Sequence, residues 1–145
     1  MSSDDEAGTA RPTPATGGAA AGGAADVGLL SAVTVDASDA VADAVVLARL
    51  VDAEAGLMRA YVAIGAAPAS VAEAAEAMRT DPHPIDAAEL AQASLRGGNP
   101  VIPLLPHLAE RVRELDAASA VWVHRGATSQ DILDTALMLV VQGAA

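Results

Sequence analysis

Apolar residues recur at helical spacing from about residue 36 onwards and predict a succession of helices. The first and longest begins after a cap at Asp36 or Ser38 and runs to about Ile64. Its apolar positions follow steps of three and four residues, at Leu47, Leu50, Val51, Leu57, Met58, Tyr61 and Ile64. Gly65 and Pro68 then end it.

Two shorter helices are predicted next. Ser70 and Glu73 have the spacing of a capping box, which indicates a second helix from Ser70 to about Arg79. Turn-forming residues at 80–84 separate it from a third helix over 86–95.

Residues 96–100, with two glycines, an asparagine and a proline, break the pattern before a fourth helix. Pro103 and Pro106 are expected in the first turn of this helix, where proline is tolerated. The apolar pattern continues to Asp116.

The last predicted helix begins at Thr128, which is placed to cap it, with Asp131 three residues further on as an acidic capping-box partner. Its apolar face consists of Ile132, Leu133, Ala136, Leu137 and Val140. Because this helix is still apolar where the sequence stops, we expect the chain to be a fragment that includes only the start of a longer helical bundle.

The composition favours an all-α fold. Hydrophobic residues make up 52% of the 145 residues, but Phe is absent and there is one Trp and one Tyr. Alanine and leucine suit closely packed helices better than strands. Residues 1–28 are rich in Ala, Gly and Pro and are expected to form a disordered leader. The expected domain is then an incomplete helical domain over 29–145.

Charge narrows the possible partners. The net charge is −11, with 19 acidic residues against eight arginines and no lysine. Binding to nucleic acid or to anionic membranes is therefore not expected. The chain has no cysteine, no signal-peptide pattern and no apolar run of bilayer length. A cytoplasmic protein is expected.

Residues 124–131 combine an imidazole, a guanidinium, two hydroxyls and an amide at the start of the last helix. The unpaired amides and the dipole of a helix N-terminus favour an anion such as a carboxylate. The alternative interpretation is an ordinary helix cap with a surface histidine, because caps are far commoner than binding sites.

The other polar clusters are weaker candidates. Asn99 and its flanking glycines could approach a ligand closely, but they also fit a turn that ends one helix and begins the next. The three histidines, His83, His107 and His124, lack metal-ligand spacing. The acidic pairs Asp52/Glu54 and Glu73/Glu76 are expected on solvated helix faces.

The sequence HRGATSQDILDT at 124–135 resembles the first signature region of the fumarase/aspartase superfamily, and within it the bacterial 3-carboxy-cis,cis-muconate cycloisomerases. Residues 47–68 resemble the first long helix of the family. GGNPVIPLL at 97–105 resembles the stretch that separates this branch from the adenylosuccinate lyases. The resemblance covers about residue 29 to the end, as an N-terminal portion.

The resemblance implies a mostly helical homotetramer with active sites shared between subunits, and neither metal nor organic cofactor. It implies reversible lactonisation of 3-carboxy-cis,cis-muconate to a carboxymuconolactone in protocatechuate (β-ketoadipate) breakdown. The implied site residues are Thr128 and Ser129 on a substrate carboxylate, Gln130 orienting it, His124 lining the site and Asn99 at its border.

Arg125 differs from the family pattern, because these cycloisomerases commonly have an aromatic residue at that position. The acid and base of the family are expected downstream of this chain, so the catalytic residues are unknown and the chain is expected to be inactive alone. Two alternatives stay open: another lyase of the superfamily, such as an adenylosuccinate lyase-like protein, or a catalytically dead helical association module.

Overall fold

The computed structural model describes residues 41–82 and 84–144. The chain forms five α-helices there, with a short 3-10 helix at Ser119–Trp122 before the last. The α-helices are α1 (Asp43–Ala63), α2 (Ser70–Thr80), α3 (Ala87–Gly97), α4 (Val101–Leu115) and α5 (Ser129–Ala144). The described part contains no strand, which confirms the all-α prediction. The predicted leader at 1–28 lies outside the described residues.

The third predicted helix is present as α3, with Asp86 as its cap and not its first residue, and it ends within the predicted break at 96–100. The Asp86 carboxylate accepts hydrogen bonds from the amides of Ala88 and Glu89, at 2.8 and 3.2 Å, and so caps α3. Gly98 ends α3 in the left-handed conformation with φ of 68°, which costs glycine little.

Three boundary predictions are wrong. Helix α1 begins after Ala42 and not directly after Asp36 or Ser38, which lie outside the described residues. Ser70 is not a cap but the first residue of α2, since Ala69 before it already has helical dihedral angles. Pro106 lies inside α4 and not in its first turn.

Helix α1 forms the centre of the packing, with α2 and α5 against it. Leu50 and Met58 of α1 are fully buried together with apolar residues of α2 and α4, including Val71, Met78, Leu104, Leu108 and Val112. Buried alanines let the helices approach closely, including Ala53 and Ala55. Ile64, predicted on the apolar face, is 75% exposed because α1 ends at Ala63.

Helix α5 buries only one of its apolar sides. Ile132, Ala136 and Val140 belong to the core, whereas Met138 and Val141 are each 57% exposed. None of the described helices combines the length and the hydropathy needed to cross a membrane.

Candidate functional site

The N-terminus of α5 is closed by a reciprocal capping box. The backbone amide and the hydroxyl of Thr128 both donate to Oδ2 of Asp131 at 2.8 Å. The Asp131 amide in turn donates to Thr128 Oγ1 at 3.3 Å. The Asp131 prediction is confirmed, and the two residues together satisfy amides that a helix start leaves without partners.

The ionised Asp131 cap makes the stability of the folded chain depend on pH in the acidic range. Hydrogen bonds from the Thr128 amide and hydroxyl hold the pKa of Asp131 below its ordinary value. A lowered pKa in the folded state contributes stability that is present above the ordinary Asp pKa and is lost as the pH falls through the lowered value. We expect Asp131→Asn to lose this part of the acid dependence when Tm is measured against pH.

Asp134→Asn is the matched control, because it removes a carboxylate from the same helix and leaves the bonds between Thr128 and Asp131 in place. An unchanged acid dependence in Asp131→Asn would show that the ionised cap contributes nothing to folding.

The loop before α5 is held to α1 by a buried carboxylate. Oε2 of Glu54 accepts a hydrogen bond from the His124 amide at 3.0 Å, and Oε1 lies 2.7 Å from Nδ1 of the His124 ring. Glu54 is 0% exposed, and the His124 side chain is 19% exposed. Burial raises the pKa of the Glu54 carboxyl, while the hydrogen bonds and charge of His124 act in the opposite direction.

The prediction that Asp52 and Glu54 lie on a solvated face is wrong for Glu54. Glu54 stands between Ala53 and Ala55 on the side of α1 that faces the core. Asp52 is partly exposed and pairs with Arg49 at 2.8 Å and Arg79 at 3.7 Å. Sequence reasoning grouped Glu54 with Asp52 as a surface charge, although Glu54 lies four residues from both Leu50 and Met58 on the predicted apolar face. Its partner is 70 residues away.

The backbone of the loop is unusual at two positions. His124 has φ of 55° and Gly126 has φ of 72°, a region that residues with side chains seldom enter. The Tyr61 hydroxyl donates to the Arg125 carbonyl at 2.8 Å. The Tyr61 ring lies 5.2 Å from that of Trp122, between centroids. Helix α1 therefore supports the loop at both Glu54 and Tyr61.

The side chain of Arg125 lies over Trp122, with its guanidinium carbon 4.6 Å from the ring centroid. This is a cation–π geometry. Arg125 is exposed and forms no ion pair or hydrogen bond through its guanidinium with the residues that the structure describes. Its charge is thus available beside the N-terminus of α5.

The structure brings four of the five predicted binding residues together, because His124 and 128–130 share the loop and the first turn of α5. The hydroxyl of Ser129 has no hydrogen-bond partner among the described residues, and Gln130 bonds Asp134 at 2.5 Å. Asn99 stands apart: its Oδ1 accepts from the Val101 amide at 2.8 Å and so caps α4 locally.

A groove of about 450 Å³ runs between α1 and α5 next to this cap. Its lining includes Gly56, Arg59, Ala127, Asp131 and Thr135. Neither this groove nor a second one, of about 490 Å³, is lined by any of the five predicted binding residues. In the described part of the chain, no three His, Asp or Glu side chains are grouped so that they could hold a metal ion.

Comparison with known proteins gives consistent relatives, although no family model matches the chain. The chain is 48% identical to nitrosuccinate lyase from Streptomyces davaonensis over 82% of its own length. It is 43% identical to 3-carboxy-cis,cis-muconate cycloisomerase from Bradyrhizobium diazoefficiens over 68% of its length. These matches cover 25% and 22% of the two relatives.

A solved structure shares the fold. The crystal structure of β-carboxy-cis,cis-muconate cycloisomerase from Acinetobacter calcoaceticus matches 74% of this chain with a TM-score of 0.65 and 38% identity. The match covers 24% of that subunit, so this chain spans about a quarter of the length of its relatives. With sequence and fold in agreement, the chain belongs to the fumarase/aspartase superfamily.

Proposed function

We propose that this chain supplies part of the carboxylate-binding site of a cycloisomerase-like enzyme. The proposed reaction interconverts 3-carboxy-cis,cis-muconate and a carboxymuconolactone. In the lactone-forming direction a carboxylate oxygen bonds to one alkene carbon and a proton is added to the other. The observation that carries the proposal is the loop at 124–130, which gathers an imidazole, a guanidinium that lies over Trp122 and a hydroxyl without a hydrogen-bond partner among the described residues, all at one helix N-terminus.

The hydrogen bonds indicate different roles for the hydroxyls of Thr128 and Ser129. Thr128 hydrogen-bonds Asp131, whereas the Ser129 hydroxyl has no partner among residues 41–82 and 84–144. Hydrogen bonds from helix amides and from a hydroxyl are stronger when the acceptor is a charged carboxylate. We therefore assign direct carboxylate binding to Ser129, with Thr128 shaping the turn and exchanging its bond when substrate binds.

Charge supports a substrate with several carboxylates. The Asp131 carboxylate opposes an anion at this end of α5, and His124 and Arg125 are the nearby groups that can offset it. In such reactions negative charge develops beside a carboxylate, and fixed donors aimed at it lower the barrier. Arg125 would then bind a second carboxylate of the substrate.

Nitrosuccinate elimination is the second candidate, and the 48% identity to nitrosuccinate lyase favours it. Here the carbon–nitrogen bond breaks, nitrite leaves and the neighbouring carbon loses a proton. Both reactions place negative charge beside a carboxylate, so the same loop would serve either. The complete enzyme is proposed to be a cytoplasmic homotetramer, and this chain is proposed to be its N-terminal portion and inactive alone.

The test is binding of polycarboxylates to the protein by calorimetry. We expect 3-carboxy-cis,cis-muconate to bind and Ser129→Ala to weaken it about tenfold, since a hydrogen bond to a charged group is worth about 1.5–3 kcal/mol. Ser94→Ala is the matched control, because Ser94 bonds the Leu90 carbonyl on α3. Stronger binding of nitrosuccinate would favour the second candidate, and binding of neither would contradict both.

A further inference from the structure

We infer that Glu54 is a positioning residue for His124, which holds the imidazole with its proton on Nδ1 and leaves Nε2 for the ligand. The inference rests on the proposed function only for the identity of that ligand. The contact between Glu54 and His124 depends only on how α1 and the loop pack together.

The Glu54 carboxylate contacts His124 at two points. One oxygen of Glu54 accepts from the His124 backbone amide at 3.0 Å and the other lies 2.7 Å from Nδ1. Because Glu54 is 0% exposed, water cannot replace either bond. Rotation of the ring would leave a buried carboxylate oxygen without a partner, which is costly.

The same geometry selects the tautomer. A carboxylate can only accept, so a neutral imidazole beside it carries its proton on Nδ1. No described residue hydrogen-bonds Nε2, and the ring is partly exposed. Nε2 is thus an acceptor in the neutral ring, and it can donate to a carboxylate substrate only when the ring carries a second proton.

The charges around the ring come from three elements. Glu54 lies on α1, Asp131 on α5 and Arg125 on the loop itself. A purely structural anchor for the loop would need an acceptor for the His124 amide alone. The second oxygen of Glu54, on the ring, is what a positioning role adds, in the manner of orienting carboxylates behind other functional histidines.

Nitrogen NMR of the histidine side chains tests this directly in the unsubstituted protein. At a pH where the rings are neutral, we expect His124 to show a protonated Nδ1 and a bare Nε2. His107, which is exposed, serves as the internal reference for an unconstrained ring. A neutral His124 with its proton on Nε2 would overturn the inference, whatever the behaviour of any variant.

Glu54→Gln provides the matched variant. Its carbonyl can still accept from the His124 amide, while its NH₂ donates to Nδ1 and forces the ring proton onto Nε2. We expect the tautomer to invert in the folded variant. An uninverted tautomer in folded Glu54→Gln would refute the positioning role, and if the variant does not fold, the unsubstituted protein decides.

Ligand titration separates the two proposals. If the Nδ1 proton is found but 3-carboxy-cis,cis-muconate and nitrosuccinate leave the Nε2 signal unmoved, the positioning of His124 stands and the proposed function fails. If the ligand shifts residues 128–130 and the proton is on Nε2, the proposed function stands and the role of Glu54 fails.

Discussion

Replacement of Glu54 by alanine is expected to lower the free energy of unfolding by about 3 kcal/mol, because loss of one partner of a buried pair leaves the other without compensation. The His124 amide and ring lose their acceptor at a site closed to water. His124 also has a left-handed backbone that needs outside support, with φ of 55°. Helix α1 and the loop would then be joined here mainly through Tyr61.

Urea unfolding monitored by circular dichroism measures the effect. Glu73→Ala is the matched control, since Glu73 is an exposed glutamate on α2, and surface changes of this kind stay within about 0.5 kcal/mol. Glu54→Gln should recover most of the loss because its amide still bonds both His124 groups. A Glu54→Ala variant as stable as Glu73→Ala would mean that the buried pair is energetically neutral.

Gly126→Ala is the second large effect, with an expected loss of about 2–3 kcal/mol. An alanine at φ of 72° pays about 1–2 kcal/mol for the left-handed conformation alone. Its Cβ would also lie 2.8 Å from the Tyr61 hydroxyl. The Tyr61 ring is restrained, because it packs at a tilt against Trp122 and its hydroxyl donates to the Arg125 carbonyl.

The chain provides a control for each contribution. Gly98 has nearly the same backbone, with φ of 68°, but open space around its Cβ position. Gly98→Ala should therefore lose only the conformational part, about 1–2 kcal/mol. Adding Tyr61→Phe to Gly126→Ala removes the clashing hydroxyl, so the double variant should lose less than the two single changes added together. Additive losses would show that the hydroxyl is not the obstacle.

The grouping of residues in the loop at 124–130 was predictable because these residues are adjacent in the sequence. His124 and 128–130 lie within seven consecutive residues, and any loop that leads into a helix at Thr128 must keep them close. The cap of Thr128 by Asp131 follows from the same short-range geometry. Asn99 lies outside this range, and its hydrogen bond to the adjacent helix start reflects its own local turn.

The partner of Glu54 was not predictable in this way, because it depends on which segment packs against α1. Helical periodicity does place Glu54 on the apolar face of the helix, four residues from both Leu50 and Met58, and places Asp52 on another side. Packing of α2 and α5 against α1 buries Glu54 and leaves Asp52 partly exposed. A buried carboxylate then needs partners, and a loop 70 residues further along provides them.

Sequence by itself thus determined the helical class, the order of the five helices and the cap that opens α5, since periodicity, caps and turn residues act over a few positions. Tertiary structure alone decided that Glu54 and Tyr61 of α1 hold the loop before α5. These features depend on which helix faces meet, and burial of apolar surface over the whole chain selects those faces.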